Sequence, residues 1–174
     1  MNAYCLSCVT MKRDEVAEKL RRKYGWHVIS PRIIQRKWVK GTAIEELREY
    51  LPGYLFVYTD EPIENPRSLW REDNVIRCLG DPDAGCILDG GDLAFAEMLY
   101  DKNGTIGILK AYSEGDRVKL VEGALGRFEG EIIKLDRRKG RAQIRYQFGG
   151  TEYKTWVGFD MIDDQVTIPR PGEA

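Results

Sequence analysis

The spacing of apolar residues changes several times along the chain, and each change predicts an element. Residues 3–9, Ala-Tyr-Cys-Leu-Ser-Cys-Val, predict a strand. From Lys12 to Tyr24 the spacing lengthens. Val16, Ala17, Leu20 and Tyr24 fall on one stripe of a helix, and Gly25 is a natural stop. Residues 26–40 are β-branched and aromatic and predict strand, ending in the basic run Arg36-Lys37-Trp38-Val39-Lys40-Gly41. The charged residues 42–50 fit either a hairpin tip or a short helix. Leu51-Pro52-Gly53 predicts a turn, and Tyr54 to Tyr58 is the near-continuous apolar run of a central strand. A short helix over 66–72, a strand over 75–79 and a loop over 81–85 follow. Residues 91–102 predict a helix with Leu93, Phe95, Ala96, Leu99 and Tyr100 inward. This order is a split βαβ arrangement with a helix appended.

The pattern changes character at Asn103-Gly104. Residues 103–115 carry Gly104, Gly107 and Gly115 with little periodicity, which predicts a linker. Beyond it the pattern is all β, with candidate strands 116–121, 130–136, 141–148, 151–157 and 160–163. Short alternating strands separated by glycine-containing turns suit a small barrel. The predicted class is α+β. An N-terminal domain of antiparallel sheet and helices covers 1–102, a linker 103–113, a β-barrel 114–166 and a tail 167–174.

The 174 residues carry 27 Lys+Arg and 28 Asp+Glu, a formal net charge of −1. That neutrality is a cancellation. Residues 1–48 hold 11 basic and 5 acidic groups, residues 49–113 hold 5 and 12, and residues 114–174 hold 11 of each. Asymmetry of this kind points to nucleic-acid or partner contacts more than the total does. No run approaches the roughly 18 apolar residues of a membrane span. Met1 to Val9 is not expected to be a signal peptide.

Catalysis is poorly provided for. His27 is the sole histidine, in the strand-like Trp26-His27-Val28-Ile29. Cys5 and Cys8 form a C-x-x-C, but on a strand these positions point to opposite faces. With Cys78 and Cys86 they read as small buried hydrophobes of a reducing compartment, hence the cytoplasm. No metal, no cofactor and no enzymatic activity are expected; a hydrolase or redox enzyme built on Cys5, Cys8 or His27 is the opposing reading.

Two segments are specific. One is Leu51-Pro52-Gly53-Tyr54-Leu55-Phe56-Val57, after a basic strand. The other is Gly115-Asp116-Arg117-Val118-Lys119-Leu120, then Gly123 to Asp136, then Lys139-Gly140-Arg141-Ala142. Together, in this order, they resemble the NusG family of transcription elongation factors. The first is similar to the Phe-Pro-Gly-Tyr motif of that family's N-terminal (NGN) domain, the second to its C-terminal KOW motif. The resemblance runs from Tyr4 to about Asp163. Ala3 stands where that family often has Trp, Leu51 where it has an aromatic, and Ala124 where it has Pro. These departures, with those from Gly149 to Phe159, suggest a specialised paralogue, and the Arg-rich turn is similar to the LoaP type that antiterminates particular operons.

The resemblance implies an NGN domain that grips the clamp helices of RNA polymerase through an apolar patch of Pro52, Gly53, Tyr54 and Phe56. It implies a KOW barrel of the SH3-like kind, and a monomer. Basic residues of the first helix and second strand would face nucleic acid: Lys12, Arg13, Lys19, Arg22, Arg36, Lys37 and Lys40, with Trp38 able to stack on an unpaired base. Lys134 to Arg145 holds Lys134, Arg137, Arg138, Lys139, Arg141 and Arg145 against Asp136 alone. Arginine forks on such a turn suit the phosphates and guanine edges of structured nascent RNA. The alternative is an adaptor whose barrel exposes Ile144, Tyr146, Phe148 and Trp156 to ribosomal protein S10 or to Rho.

Overall fold

The computed structural model describes residues 1–115, 117–121 and 131–162. Asp116, the glycine-rich part of the second motif (122–130) and the predicted tail lie outside the described residues. The fold is α+β and mostly strand. Twelve strands are described: β1 (Asn2–Cys8), β2 (His27–Ile29), β3 (Arg32–Val39), β4 (Thr42–Glu49), β5 (Tyr54–Thr59), β6 (Val75–Cys78), β7 (Thr105–Ile106), β8 (Leu109–Glu114), β9 (Arg117–Leu120), β10 (Glu131–Asp136), β11 (Arg141–Phe148) and β12 (Thr151–Met161). The helices are α1 (Arg13–Tyr24) and α2 (Gly90–Asp101), with single 3-10 turns over Thr10–Lys12 and Pro66–Arg71.

The strands form three sheets, ordered β2-β5-β1-β6, β4-β3-β7 and β10-β11-β12-β8-β9. The first is antiparallel throughout, with β5 between β2 and β1. Its central strand is apolar on both faces because both are covered. Leu55 and Val57 join Val16, Ala17 and Leu20 of α1 in one core cluster. Burying a Val or Leu of that stripe is worth about 2 kcal/mol. Phe56 and Tyr58 face the other cluster, with Phe95, Ala96 and Leu99 of α2 and with Ile144, Tyr146 and Phe148 of β11. The two-residue period also separates the cysteines: Cys5 lies in the second cluster and Cys8 in the first, and all four are free and buried.

The Leu51-Pro52-Gly53 turn has a structural cause. Gly53 has φ +84°, and a Cβ there would stand 3.0 Å from the Cys8 carbonyl oxygen. The Cys8 amide donates to the Gly53 carbonyl at 2.7 Å, so the turn is sewn onto the end of β1.

Several expectations are decided or corrected. Of the hairpin and the short helix left open for residues 42–50, the hairpin forms, with 42–49 as a strand. Lys40 and Gly41 have φ of 49° and 82°, the mirror-image turn that two-residue hairpins favour, and β3 and β4 pair from Val39↔Thr42 to Arg32↔Glu49. The predicted linker is largely strand: β7 pairs with β3 and β8 pairs with β9 and β12. Residues 151–161 form one strand that changes partner, from β11 up to Gly158 to β8 from Phe159 onward. The strands of the region expected to form a barrel make a curled five-stranded sheet among the described residues. Tyr100, expected inward, is exposed beside His27, and Met98 takes its place in the core.

The basic face expected on α1 is largely committed within the fold. Arg13 is 1% exposed and sits against Glu49 and Asp14. Lys19 and Lys23 converge with the Tyr24 hydroxyl on Glu72, beside the 3-10 turn. Burial alone would push the Glu72 carboxyl up. Hydrogen bonds from Lys23, Tyr24 and Lys19 outweigh it and hold the group at about 2 rather than 4.5.

A depressed carboxyl contributes stability above its unfolded value and loses it as pH falls. Glu72 is therefore expected to stabilise the fold fully above pH 4.5 and to lose that contribution towards pH 2. The loss is on the order of 2 kcal/mol. Urea midpoints of the wild type and Glu72→Gln, compared at pH 7 and pH 3, check this: the variant's deficit shrinks at low pH. A second expectation concerns Phe95, wholly buried where α2 meets both sheets. Phe95→Ala is expected to cost about 3–5 kcal/mol by chemical denaturation.

Candidate nucleic-acid interface

The tip of the β3–β4 hairpin extends beyond β7, which pairs only with Arg32 and Ile33. The free edge of β3 is held against β12 by its own polar side chains. Gln35 Nε2 donates to the Trp156 carbonyl at 3.1 Å. Arg36 donates through Nη1 to the Phe159 carbonyl at 2.8 Å and through Nη2 to Asp160 Oδ1 at 2.6 Å. The bond from Arg36 is the main reason the Asp160 carboxyl lies below its ordinary value. Trp38 Nε1 reaches the Lys139 carbonyl at 3.4 Å.

The partner surface is the turn between β10 and β11. Asp136 Oδ1 accepts the Lys139 amide at 3.1 Å, and the Gly140 amide donates to the Arg137 carbonyl at 3.2 Å. That closed turn leaves Arg137 and Arg138 exposed. Gly140 has φ +57°, and a Cβ there would lie 2.8 Å from Arg36 Nη1 and 3.0 Å from the Phe159 carbonyl oxygen. The glycine lets the turn close onto the hairpin.

Two cavities flank this contact. One, about 350 Å³, is lined by Gln35, Lys37, Glu46 and Arg48 of the hairpin with Lys139 and Arg141. The other, about 340 Å³, is lined by Ala43 and Glu45, by Arg137 and Arg138, and by Asp160 and Met161. Arg36, Trp38 and Lys139 line both. Gln35 and Lys37 line only the first and Ala43 and Glu45 only the second, so the two adjoin as one cleft around the shared residues.

Of the residues expected to meet nucleic acid, seven converge here: Arg36, Lys37, Trp38, Arg137, Arg138, Lys139 and Arg141. They do not all do the same work. Arg36 is consumed in docking. Arg141 lies 4.7 Å over the Trp156 ring and 3.4 Å from Asp136. Among the described residues Arg138 and Lys139 have no ion-pair partner. Lys40 stands at the hairpin tip. Lys134 and Arg145 line neither cavity, and Arg145 is paired with Glu131. Gln35, Glu45, Glu46, Arg48 and Asp160 were not anticipated. A signal existed: a two-residue tip at Lys40-Gly41 fixes the register that sets Glu45 opposite Arg36.

The expected apolar patch is different. Pro52 is exposed, Gly53 is buried and Tyr54 is half-buried with its hydroxyl 3.4 Å from that of Tyr153. Phe56 is 0% exposed, its ring 5.6 Å from Phe95 and 5.4 Å from Phe148. The reason is that β11 covers this face of the first sheet. Ile144, Tyr146 and Phe148, the exposed barrel residues of the adaptor reading, are buried by the same contact.

His27 lies at an open groove of about 520 Å³ with Arg21, Trp26 and Arg32. Among the described residues no cluster of His, Cys, Asp or Glu is placed to hold a metal. No described helix is long and apolar enough to cross a membrane. The chain matches no protein-family model and no curated protein.

Arg36→Ala removes a charged donor from both Phe159 and Asp160. It is expected to destabilise the fold by about 2 kcal/mol in urea titration. Trp38 should become more accessible to acrylamide quenching as the hairpin leaves β12.

Proposed function

We propose that this chain is a transcription elongation and antitermination factor of the NusG kind. In this reading an NGN domain binds RNA polymerase and a KOW domain assists in holding nascent RNA. The observation that carries the reading is the convergence of two basic segments, Arg36–Lys40 and Arg137–Arg141, on one cleft around Trp38. They lie about a hundred residues apart in sequence and meet where the Trp38 indole reaches the Lys139 carbonyl and Gly140 lies close to Arg36. Exposed Lys and Arg supply phosphate affinity, and a half-exposed aromatic supplies stacking. The ordered pair of motifs supports the assignment to transcription. No covalent step is required: the factor acts by shifting polymerase toward its elongating form.

Docking on the clamp helices through Tyr54 and Phe56 requires β11 to leave the first sheet. The adaptor reading, with ribosomal protein S10 or Rho on the barrel, requires the same separation to expose Tyr146 and Phe148. The cleft needs none, which favours RNA over a barrel-bound protein as the ligand of the closed form.

Transcription in vitro across a terminator, with and without a leader RNA, tests the reading. Added protein is expected to raise readthrough, and unchanged readthrough overturns it. The RNA part has its own measurement. Arg137→Glu with Arg138→Glu should weaken RNA binding about tenfold or more and flatten the salt dependence by about 1.4 in log–log slope. Unchanged affinity removes the turn from the interface.

A further inference from the structure

The cavity lined by Ala43 and Glu45 contains something a phosphate-binding surface does not need. Two carboxylates, Glu45 and Asp160, line it beside Arg137 and Arg138. For a site that held only the backbone of a nucleic acid they would be repulsive. Asp160 is accounted for: its Oδ1 is held by Arg36, and its Oδ2 lies 3.7 Å from Lys110. Glu45 is not. Its Oε1 stands 3.5 Å from Arg36, and among the described residues no hydrogen bond holds the carboxylate. Its side chain is half-exposed.

The indole is the second element. Trp38 is 41% exposed, and its Nε1–H is turned away to the Lys139 carbonyl. That bond fixes the ring as a wall of the cavity and leaves a π-face for stacking. A cavity with one aromatic wall, one carboxylate acceptor and two guanidinium groups on its Arg137–Arg138 side has the parts of a nucleotide site.

The carboxylate selects among bases. Uracil offers a single N–H between two carbonyl groups, which face a carboxylate unfavourably. Adenine and cytosine each offer one amino group beside an acceptor nitrogen. Guanine offers N1–H and an amino N–H side by side, a match to the two oxygens of one carboxylate. This edge is free only when the base is unpaired.

We propose that this cavity holds one unpaired guanine of a nucleic-acid strand. Its ring stacks on Trp38, its Watson–Crick edge donates to Glu45, and its phosphate lies against Arg137 and Arg138. The assignment deepens the nucleic-acid reading above and rests on it.

The test uses the full chain and fluorescein-labelled pentanucleotides, four uridines around a central G, inosine, A, C or U, titrated by anisotropy. The G pentamer is expected to bind about tenfold tighter than A, C or U, the increment of one charge-assisted contact. Inosine, which keeps N1–H and lacks the amino group, is expected to fall between. Glu45→Ala should bring G to within about threefold of U while leaving U binding intact. Trp38→Ala should weaken all five. Ribose and deoxyribose versions distinguish nascent RNA from single-stranded DNA as the source of the base; a guanine preference in either supports the site. Equal binding of all bases by the wild type overturns the guanine assignment and leaves the nucleic-acid reading standing. Retention of the preference in Glu45→Ala overturns the role of Glu45. No saturable binding to any pentamer overturns both readings.

Discussion

Phe95 is where the two halves of the chain become one core. Its ring lies within 6.0 Å of Tyr50, Phe56, Tyr146 and Phe148, centroid to centroid. Tyr50 closes the hairpin strand β4, Phe56 is the middle of the first sheet, and Tyr146 and Phe148 are on β11. One side chain on α2 therefore touches each of the three sheets' neighbourhoods. Aromatic pairs at these separations add about 0.5–1.5 kcal/mol each beyond the area they bury. Fixing β11 on the first sheet also fixes its neighbour β12 and the turn that precedes it. The meeting of Trp38 with Lys139 is a consequence of that packing, since nothing in either basic segment alone could bring them together.

The charges tell a related story by subtraction. The surplus of cations in residues 1–48 suggested a broad basic face. The fold spends much of it internally. Arg13, Asp14, Arg32 and Glu49 close a ring at the root of the hairpin, with Arg32 Nη2 2.9 Å from Asp14 and Arg13 Nη2 3.3 Å from Glu49. Burial pushes the Asp14 carboxyl up, but Ser30, Arg32 and Arg13 together leave it below its ordinary value. Lys19 and Lys23 hold Glu72, and Arg36 holds Asp160. Lys37, Lys40, Arg138 and Lys139, which have no ion pair among the described residues, cluster near the hairpin tip and the turn. A cation already bonded to a carboxylate has less to offer a phosphate, so the surface that can bind nucleic acid is smaller and better defined than the composition suggests.

What the sequence made legible follows the range of the interactions. Local periodicity located β1, α1, β5, β6, α2, β10 and β11 to within about two residues, because each depends on its own spacing of apolar groups. The alternation that sends Leu55 and Val57 to α1 and Phe56 to the other side was also readable. What covers that other side was not, because Phe148 lies more than ninety residues further on and alternation is silent about partners. Residues 42–49 hid their strand character because both faces are largely solvated, leaving no hydrophobic alternation. Their pairing is set by the turn at Lys40-Gly41. β8 was missed for the opposite reason: its apolar positions, Leu109 and Ala111, are few, and a long-range parallel ladder with Phe159 and Met161 defines it. Of the cleft, the basic residues and Trp38 were legible as types. Glu45, the acceptor proposed for it, was not, since its place beside Arg36 appears only when β4 is laid against β3.

The core contact at Phe56 and the cleft at Trp38 depend on the same arrangement, and this sets the sign of their coupling. Docking on a polymerase through Phe56 needs β11 off the first sheet. Moving β11 carries the 137–140 turn away from the hairpin and divides the cleft between two separated surfaces. A ligand that bridges hairpin and turn binds only the closed form, so it stabilises that form by RT ln(1 + [L]/Kd). By linkage it weakens polymerase docking at Phe56 by the same factor. Under the proposed function, RNA held in the intact cleft and polymerase held at Phe56 would therefore compete within one molecule. Cooperation between them requires that each half keep part of the RNA contact after separation, Trp38 and Lys37 on one side, Arg137 and Arg138 on the other. The exposure of those four side chains in the closed form makes that division physically available. Ties that would have to break for it include the packing of Phe95 against Tyr146 and Phe148 as well as the bonds from Arg36 to Phe159 and Asp160.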